Sequence, residues 1–150
     1  MQIDVLSATG TGPTEGAAYQ DALSWTGLAD ANLIEISGVI PAGSTIKQTQ
    51  VLELAWGERL YVTTAASTTA VALAEVWSAL GWVQDPESGK GFCVTASGGS
   101  EAEVHAEVAI TLAAMTVSRG LDQRPSEIVT VGGRNGARAM CALVIASFRN

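Results

Sequence analysis

Two small residues, Ser37 and Gly38, interrupt an apolar stretch of the chain and offer its first candidate chemistry. Apolar residues precede the pair, and Val39-Ile40-Pro41 follows it. A serine hydroxyl is a nucleophile once a neighbouring group takes its proton. Because side chains alternate along a strand, we expect the Glu35 carboxylate on the same side as Ser37, where it is a candidate base. Ser37 and Glu35 are therefore predicted catalytic residues.

Asp21 is the third predicted catalytic residue. It lies in the helical pattern Ala18-Tyr19-Gln20-Asp21-Ala22-Leu23, where a carboxylate is either a solvated surface group or part of a pocket. His105, between two glutamates, is either a helix-surface residue paired with one of them or an acid/base group.

The four tryptophans and two cysteines complete the candidate side chains. Packing in the core or between subunits explains the tryptophans first, and an aromatic ligand pocket second, for which Trp25 is the candidate. Cys93 and Cys141 are expected to be free, buried thiols. No metal site is predicted, because one histidine and two distant cysteines lack ligand spacing.

The segment from Asn32 to Ile46 resembles the self-cleaving strand of the pyruvoyl-dependent arginine decarboxylases. Further short stretches match that family in order and spacing: Ile3–Ser7, Gly10–Glu15, Ala18–Leu23, Tyr61-Val62 and Ser118-Arg119-Gly120. The resemblance implies a four-layer αββα sandwich of the α/β (α+β) class. It also implies a homotrimer, or a dimer of trimers, with pockets between subunits.

The resemblance also implies a chemistry that this chain lacks. In the family, the second serine of the strand cleaves the chain and becomes the pyruvoyl cofactor. That position is Gly38, which has neither a hydroxyl nor a β-carbon. A pyruvoyl group at position 38 is chemically impossible, so we expect no cofactor. Cleavage one residue earlier, at the Ile36–Ser37 bond, is the alternative, and it requires the strained turn to shift.

Two more positions depart from the family pattern. Thr95 stands where the family has its proton-donating glutamate, and Gln20 where it has the aspartate that meets the substrate guanidinium. Asn32 matches an asparagine of the family's site. The predicted substrate-binding residues are therefore Asn32, Gly38, Thr95, Gln20 and Trp25.

Three functions follow from these departures. The first is a cofactor-independent small-molecule enzyme, of the cyclase, isomerase or lyase type, with an intersubunit pocket near Ser37. The second is a non-catalytic binding module or assembly partner of an active homologue. The third is a true decarboxylase, either with shifted cleavage or as a blocked variant.

The elements that must position these residues alternate along the chain. Hydrophobic periodicity and turn residues predict strands at 2–8, at 32–40 with an interruption, within 44–67, and at 91–97, 127–131 and 138–148. Residues 71–83 are ambiguous between helix and strand, and their β-branched and aromatic content, together with the family comparison, favours a strand. Helices are predicted over 15–29 and from a capping box at Ser100 to Gly120. Glycine-rich residues 132–136 suggest a hairpin turn between the last two strands, although Arg134 and Arg138 near it are candidates for binding an anion.

Composition limits the remaining possibilities. A chain of 150 residues fits a single domain, 1–150, and its 15% of charged residues favours an oligomer. A net charge of −7 argues against nucleic-acid binding. The sequence has neither an apolar run of about 18 residues nor a secretory signal pattern, so we expect a cytoplasmic protein without a membrane span.

Overall fold

The computed structural model describes residues 1–121 and 125–150. Its strands are β1 (Gln2–Gly12), β2 (Asn32–Glu35), β3 (Val39–Ile40), β4 (Thr45–Gln48), β5 (Arg59–Thr69), β6 (Glu75–Gln84), β7 (Gly91–Gly98), β8 (Ser126–Arg134) and β9 (Ala139–Arg149). The helices are α1 (Glu15–Thr26) and α2 (Glu101–Ser118). Neither helix is long and apolar enough to cross a membrane.

Both helices begin at the residues that the sequence predicts. The Thr14 hydroxyl accepts a hydrogen bond from the Ala17 amide at 3.0 Å, and the Ser100 hydroxyl accepts one from the Glu103 amide at 3.1 Å. These bonds satisfy amide donors that the first helical turn leaves free. The predicted end of α1 at residue 29 is wrong, because Gly27 adopts a left-handed conformation (φ 82°) and ends the helix.

The strands form two sheets. The five-stranded sheet has the order β2-β5-β9-β1-β4, and the four-stranded sheet has the order β3-β7-β6-β8. Strand β9 lies between β5 and β1, and it is buried at Ala139 and from Cys141 to Phe148, as is typical of a central, doubly covered strand. Because β1 and β9 are antiparallel, Gln2 pairs with Arg149, and the two ends of the chain lie side by side.

Three apolar layers hold the sheets and helices together. The first packs α1 on the five-stranded sheet around Leu6 and Leu143, and the second packs the sheets on each other around Val5 and Leu80. The third packs the four-stranded sheet on α2 around Val108. The result is an α+β sandwich with one helix on each outer face, which confirms the predicted fold class.

One prediction of local structure in the second half of the chain is wrong. Residues 132–136 do not form a hairpin turn, because β8 belongs to the four-stranded sheet and β9 to the five-stranded sheet. Gly132 lies within β8 and packs on an indole: a β-carbon there would stand 2.3 Å from a ring atom of Trp77. The strands predicted within 44–67 are confirmed as β4 and β5, with residues 49–58 forming a loop between them.

A buried carboxylate joins the two ends of the chain. Asp4 is fully buried and accepts hydrogen bonds from Gln2 Nε2 at 3.1 Å, Thr49 Oγ1 at 2.9 Å and an Arg149 guanidinium nitrogen at 3.0 Å. Lys47 Nζ lies 3.8 Å from the same carboxylate. Because a buried charge is costly unless it is paired and hydrogen-bonded, this network stabilises the pairing of β1 with β9.

Candidate functional site

The interruption at Ser37-Gly38 is the point where the chain passes from one sheet to the other. Strand β2 is an edge of the five-stranded sheet, and β3 is an edge of the four-stranded sheet. The Ile36 amide donates to the Val62 carbonyl at 2.8 Å, and the Cys93 amide donates to the Gly38 carbonyl at 2.8 Å. Residues 36–38 are therefore a crossing segment that is hydrogen-bonded to both sheets.

A further hydrogen bond fixes the peptide group before Ser37. The Thr63 hydroxyl donates to the Ile36 carbonyl at 3.0 Å, and the Thr63 side chain is buried beneath the crossing segment. The carbonyl oxygen is thus held in a defined direction and is polarised by the hydroxyl.

Gly38 occupies a position that suits glycine for two reasons. Its φ is 89°, a backbone conformation that side chains of L-residues rarely adopt. A β-carbon at this position would also lie 2.8 Å from both the carbonyl oxygen and the Sγ of Cys93. The backbone of β7 therefore fills the space that a side chain at position 38 requires.

Cys93 is a structural thiol below this turn. Burial raises the pKa of the Cys93 thiol to about 11, although a hydrogen bond with the Thr63 side chain acts in the opposite direction. The thiolate is the nucleophilic form of cysteine, so Cys93 is unreactive near neutral pH. Cys141 is also free and buried, as predicted for both cysteines.

Ser37 itself lies at a cavity of about 390 Å³, called here the Ser37 cavity. Among the described residues, its polar lining consists of Ser37, Lys90 and Arg119, and its apolar lining consists of Val39, Ile40, Phe92, Met115 and Leu121. The volume lies within the range of small-molecule sites. The cavity thus combines one hydroxyl, two cations and an apolar wall.

Arg119 is positioned by the end of α2 and by an aromatic ring. Its backbone amide donates to the Met115 carbonyl at the helix end at 3.1 Å, and its guanidinium carbon lies 5.3 Å from the centre of the Phe92 ring. A guanidinium stacked on a ring face keeps donors at its edge available. Within the described part of the chain, neither Arg119 nor Lys90 forms an ion pair with a carboxylate.

The other predicted residues of β2 do not line this cavity. The Asn32 side-chain amide donates to the Gly57 carbonyl at 2.9 Å and so fastens the loop before β5. Glu35 is exposed and lies toward α1, near enough to Tyr19 of that helix to affect its pKa. Burial raises the pKa of Tyr19, and the negative charge of Glu35 raises it further. Glu35 and Ser37 therefore have different surroundings within one chain.

The predicted residues of α1 lie elsewhere. Gln20 is exposed, and the Asp21 carboxylate accepts a hydrogen bond from the Thr11 amide at 2.9 Å. Trp25 is 68% exposed and lines a second cavity of about 590 Å³ with neutral polar residues of β1 and of the segment after β4. Within one chain, the structure does not bring these three residues to the Ser37 cavity.

Thr95 lies in β7 opposite Leu80 of β6, and it is half-buried. It does not line the Ser37 cavity either. Of the eight predicted site residues, the structure thus places Ser37 at the cavity and Gly38 directly behind it. The functional roles of the other six stay predictions.

Sequence reasoning missed the two cations. Lys90 follows a turn, and Arg119 ends a helix, and both positions are ordinary for exposed basic residues. They meet at one cavity only because β7 and α2 pack together. The sequence carries no local signal for that meeting. Among residues 1–121 and 125–150, no group of three or more His, Cys, Asp or Glu side chains is placed to hold a metal ion.

Comparison of the sequence with known proteins identifies the family of this chain. No curated protein matches the chain. The sequence profile of the pyruvoyl-dependent arginine decarboxylases matches residues 2–148 of the 150. The chain therefore belongs to the pyruvoyl-dependent arginine decarboxylase family.

Proposed function

We propose that this protein is a member of the family that keeps its backbone intact at Ser37-Gly38, carries no pyruvoyl group, and takes a small molecule at the Ser37 cavity. The observation that carries the proposal is Gly38. Its missing hydroxyl and β-carbon leave nothing to attack the preceding carbonyl or to form a ketone.

The residues around position 38 do not fit the family's cofactor. A group derived from a side-chain-bearing residue needs a β-carbon, and here that atom would lie 2.8 Å from a β7 carbonyl oxygen. This oxygen belongs to backbone that is paired on both sides, with β3 and β6, so it cannot move cheaply. No step of the reaction is therefore assigned to a pyruvoyl group.

The lining of the cavity defines what one chain contributes. Ser37, Lys90 and Arg119 supply hydrogen bonds and positive charge, which bind and orient a ligand. No carboxylate or imidazole belongs to the described lining, so the described residues of one chain bring no ordinary general base to the cavity at neutral pH. Binding with orientation is the function that this lining supports best.

A catalytic version of the proposal takes its acid/base group from a second copy of the chain. Glu35 is exposed on the edge strand β2, and Ile34 of the same strand pairs with Tyr61, both with exposed apolar side chains. Exposed apolar groups of this kind are common where subunits meet. In a homotrimer or a dimer of trimers, such an edge brings Glu35 or Asp21 to a neighbouring cavity. The protein is then a cofactor-independent cyclase, isomerase or lyase.

The hydrogen bond from Thr63 favours a second candidate function, a decarboxylase with shifted cleavage. The Ser37 hydroxyl would attack the Ile36 carbonyl, which the Thr63 hydroxyl polarises at 3.0 Å. An ester to the Ser37 Oγ would replace the amide bond between Ile36 and Ser37, and the hydroxyl proton would pass to the Ser37 nitrogen. β-Elimination would then break the Cβ–Oγ bond and release the Ile36 carboxylate, and water would convert the remaining dehydroalanine into a ketone with release of ammonia.

The intact mass of the purified protein under denaturing conditions decides between the two candidates. One species at 15.4 kDa is the expected result. Two fragments that meet at the Ile36–Ser37 bond, with a carbonyl-reactive terminus on the larger one, would replace the main proposal by the shifted cleavage. A Thr63→Val variant that abolishes such cleavage would identify the hydroxyl as its cause.

A further inference from the structure

The charge of the Ser37 cavity is opposite to the charge of the protein. The chain has a net charge of −7, yet the ionisable groups of the described lining are Lys90 and Arg119, which are both cations. Neither is paired with a carboxylate in the described part of the chain. Two cations that have no carboxylate partner among the described residues attract anions to a small cavity and repel cationic ligands.

The geometry of Arg119 adds direction to this charge. Its guanidinium is held over the Phe92 ring and donates one hydrogen bond, from Nη1 to the Ser118 hydroxyl at 3.1 Å. The remaining donors at its edge are left for a planar anion. Ser37 adds a hydroxyl that has no hydrogen-bond partner among the described residues. The polar groups of the cavity thus match an anionic head group with several acceptor oxygens.

The apolar lining of the cavity indicates that the ligand also has an apolar part. Val39, Ile40, Phe92, Met115 and Leu121 come from β3, β7 and α2 and its end, and they line the same cavity. An inorganic anion leaves such a surface in contact with water, whereas an organic acid with an aromatic or branched body covers it.

We propose that the Ser37 cavity binds a small organic anion, a carboxylate or phosphate ester with an apolar body, and rejects arginine and related cations. This inference rests on the proposed function, because it assigns a ligand class to the same cavity.

The test compares three probes with one skeleton by titration calorimetry on the full-length protein: 3-phenylpropionate, its neutral amide, and 3-phenylpropylamine. We expect the acid to bind at least about tenfold more tightly than the amide, because hydrogen bonds to charged groups are the stronger ones. The amine is expected to bind most weakly. The difference between acid and amide should shrink with added salt.

Variants locate the effect. Arg119→Gln and Lys90→Gln are each expected to weaken binding of the acid about tenfold while leaving the amide unchanged. Arg59→Gln is the matched control, because Arg59 is exposed at the start of β5 and lines neither cavity described above. Val39→Trp places a large side chain in the cavity. Because the Val39 side chain is 68% exposed, we expect the variant to keep its fold, and a melting curve checks this.

The outcomes separate the two proposals. Two results would overturn the ligand class: equal binding of the three probes, or tighter binding of the amine. If Val39→Trp abolishes that binding, the cavity remains the site. No binding of any probe, or binding that Val39→Trp leaves unchanged, overturns the proposed function together with the ligand class. Inorganic phosphate binding as tightly as the acid overturns the role of the apolar wall.

Discussion

Restoring the family's serine at position 38 is the most informative perturbation of this protein. Gly38→Ser places a side chain where φ is 89° and where the new β-carbon lies 2.8 Å from the Cys93 carbonyl oxygen and Sγ. The left-handed region costs a non-glycine residue about 1–2 kcal/mol. Overpacking against fixed backbone adds about 1–3 kcal/mol. We expect Gly38→Ser to lower the free energy of unfolding by about 2–5 kcal/mol without splitting the chain.

Urea unfolding and intact mass measure the two parts of this prediction. The midpoint should fall without a change in the denaturant slope, and the melting temperature should fall by about 5–15 °C. Gly38→Ala is the matched control, because it adds the same β-carbon without a hydroxyl. The two variants should lose similar stability. A Gly38→Ser protein that is as stable as its parent, or that cleaves itself between residues 37 and 38, would refute the reasoning about this turn.

Three further predictions concern other parts of the molecule. Asp4→Asn should lower the free energy of unfolding by about 2–4 kcal/mol, measured by urea unfolding, because it leaves the Arg149 guanidinium without its buried anion. Burial raises the pKa of both the Cys93 and Cys141 thiols to about 11. The unfolded chain therefore releases these protons first, and stability should fall between about pH 9 and pH 11, by about 2 kcal/mol for each thiol. Asn32→Ala should cost about 1 kcal/mol of stability through its lost bond to the loop, and should leave the affinity of 3-phenylpropionate unchanged.

Each of these three has its own control and contradicting result. Asp30→Asn, at an exposed position, should be neutral, and equal losses in both aspartate variants would contradict the role of the buried network. A Cys141→Ala protein should lose less stability than its parent over the alkaline range, and an unchanged slope would contradict the thiol assignment. A large loss of probe affinity in Asn32→Ala, at unchanged stability, would make Asn32 a ligand contact.

The order of the elements was largely predictable from the sequence, and their partners were not. The small residues Ser37 and Gly38 marked the break in the strand, because apolar alternation stops there. Alternation describes which face a side chain takes, however, and it contains no information about which sheet a strand joins. The passage from one sheet to the other at this break therefore emerged only from the structure.

Glycine caused the clearest error, for a physical reason. The glycines at residues 132–136 predict a turn, because glycine permits turn conformations. Gly132 instead serves close packing, since the Trp77 ring occupies the space of its missing side chain. The same residue type meets both needs, and a single sequence does not distinguish them. Sequence reasoning missed the two cations of the Ser37 cavity for a related reason, because Lys90 and Arg119 converge only through packing of α2 on its sheet.

The pairing of Gln2 with Arg149 makes the chain suitable for circular permutation. Because residues 2 and 149 are neighbours in adjacent strands, a short flexible linker can join the two ends of this 150-residue chain with little strain. New ends can then be opened between Ser37 and Gly38, within the crossing segment. Such a permutant carries, by genetic design, a backbone break between Ser37 and Gly38. Its stability relative to the parent measures how much the covalent bond between the two sheets contributes to holding them together.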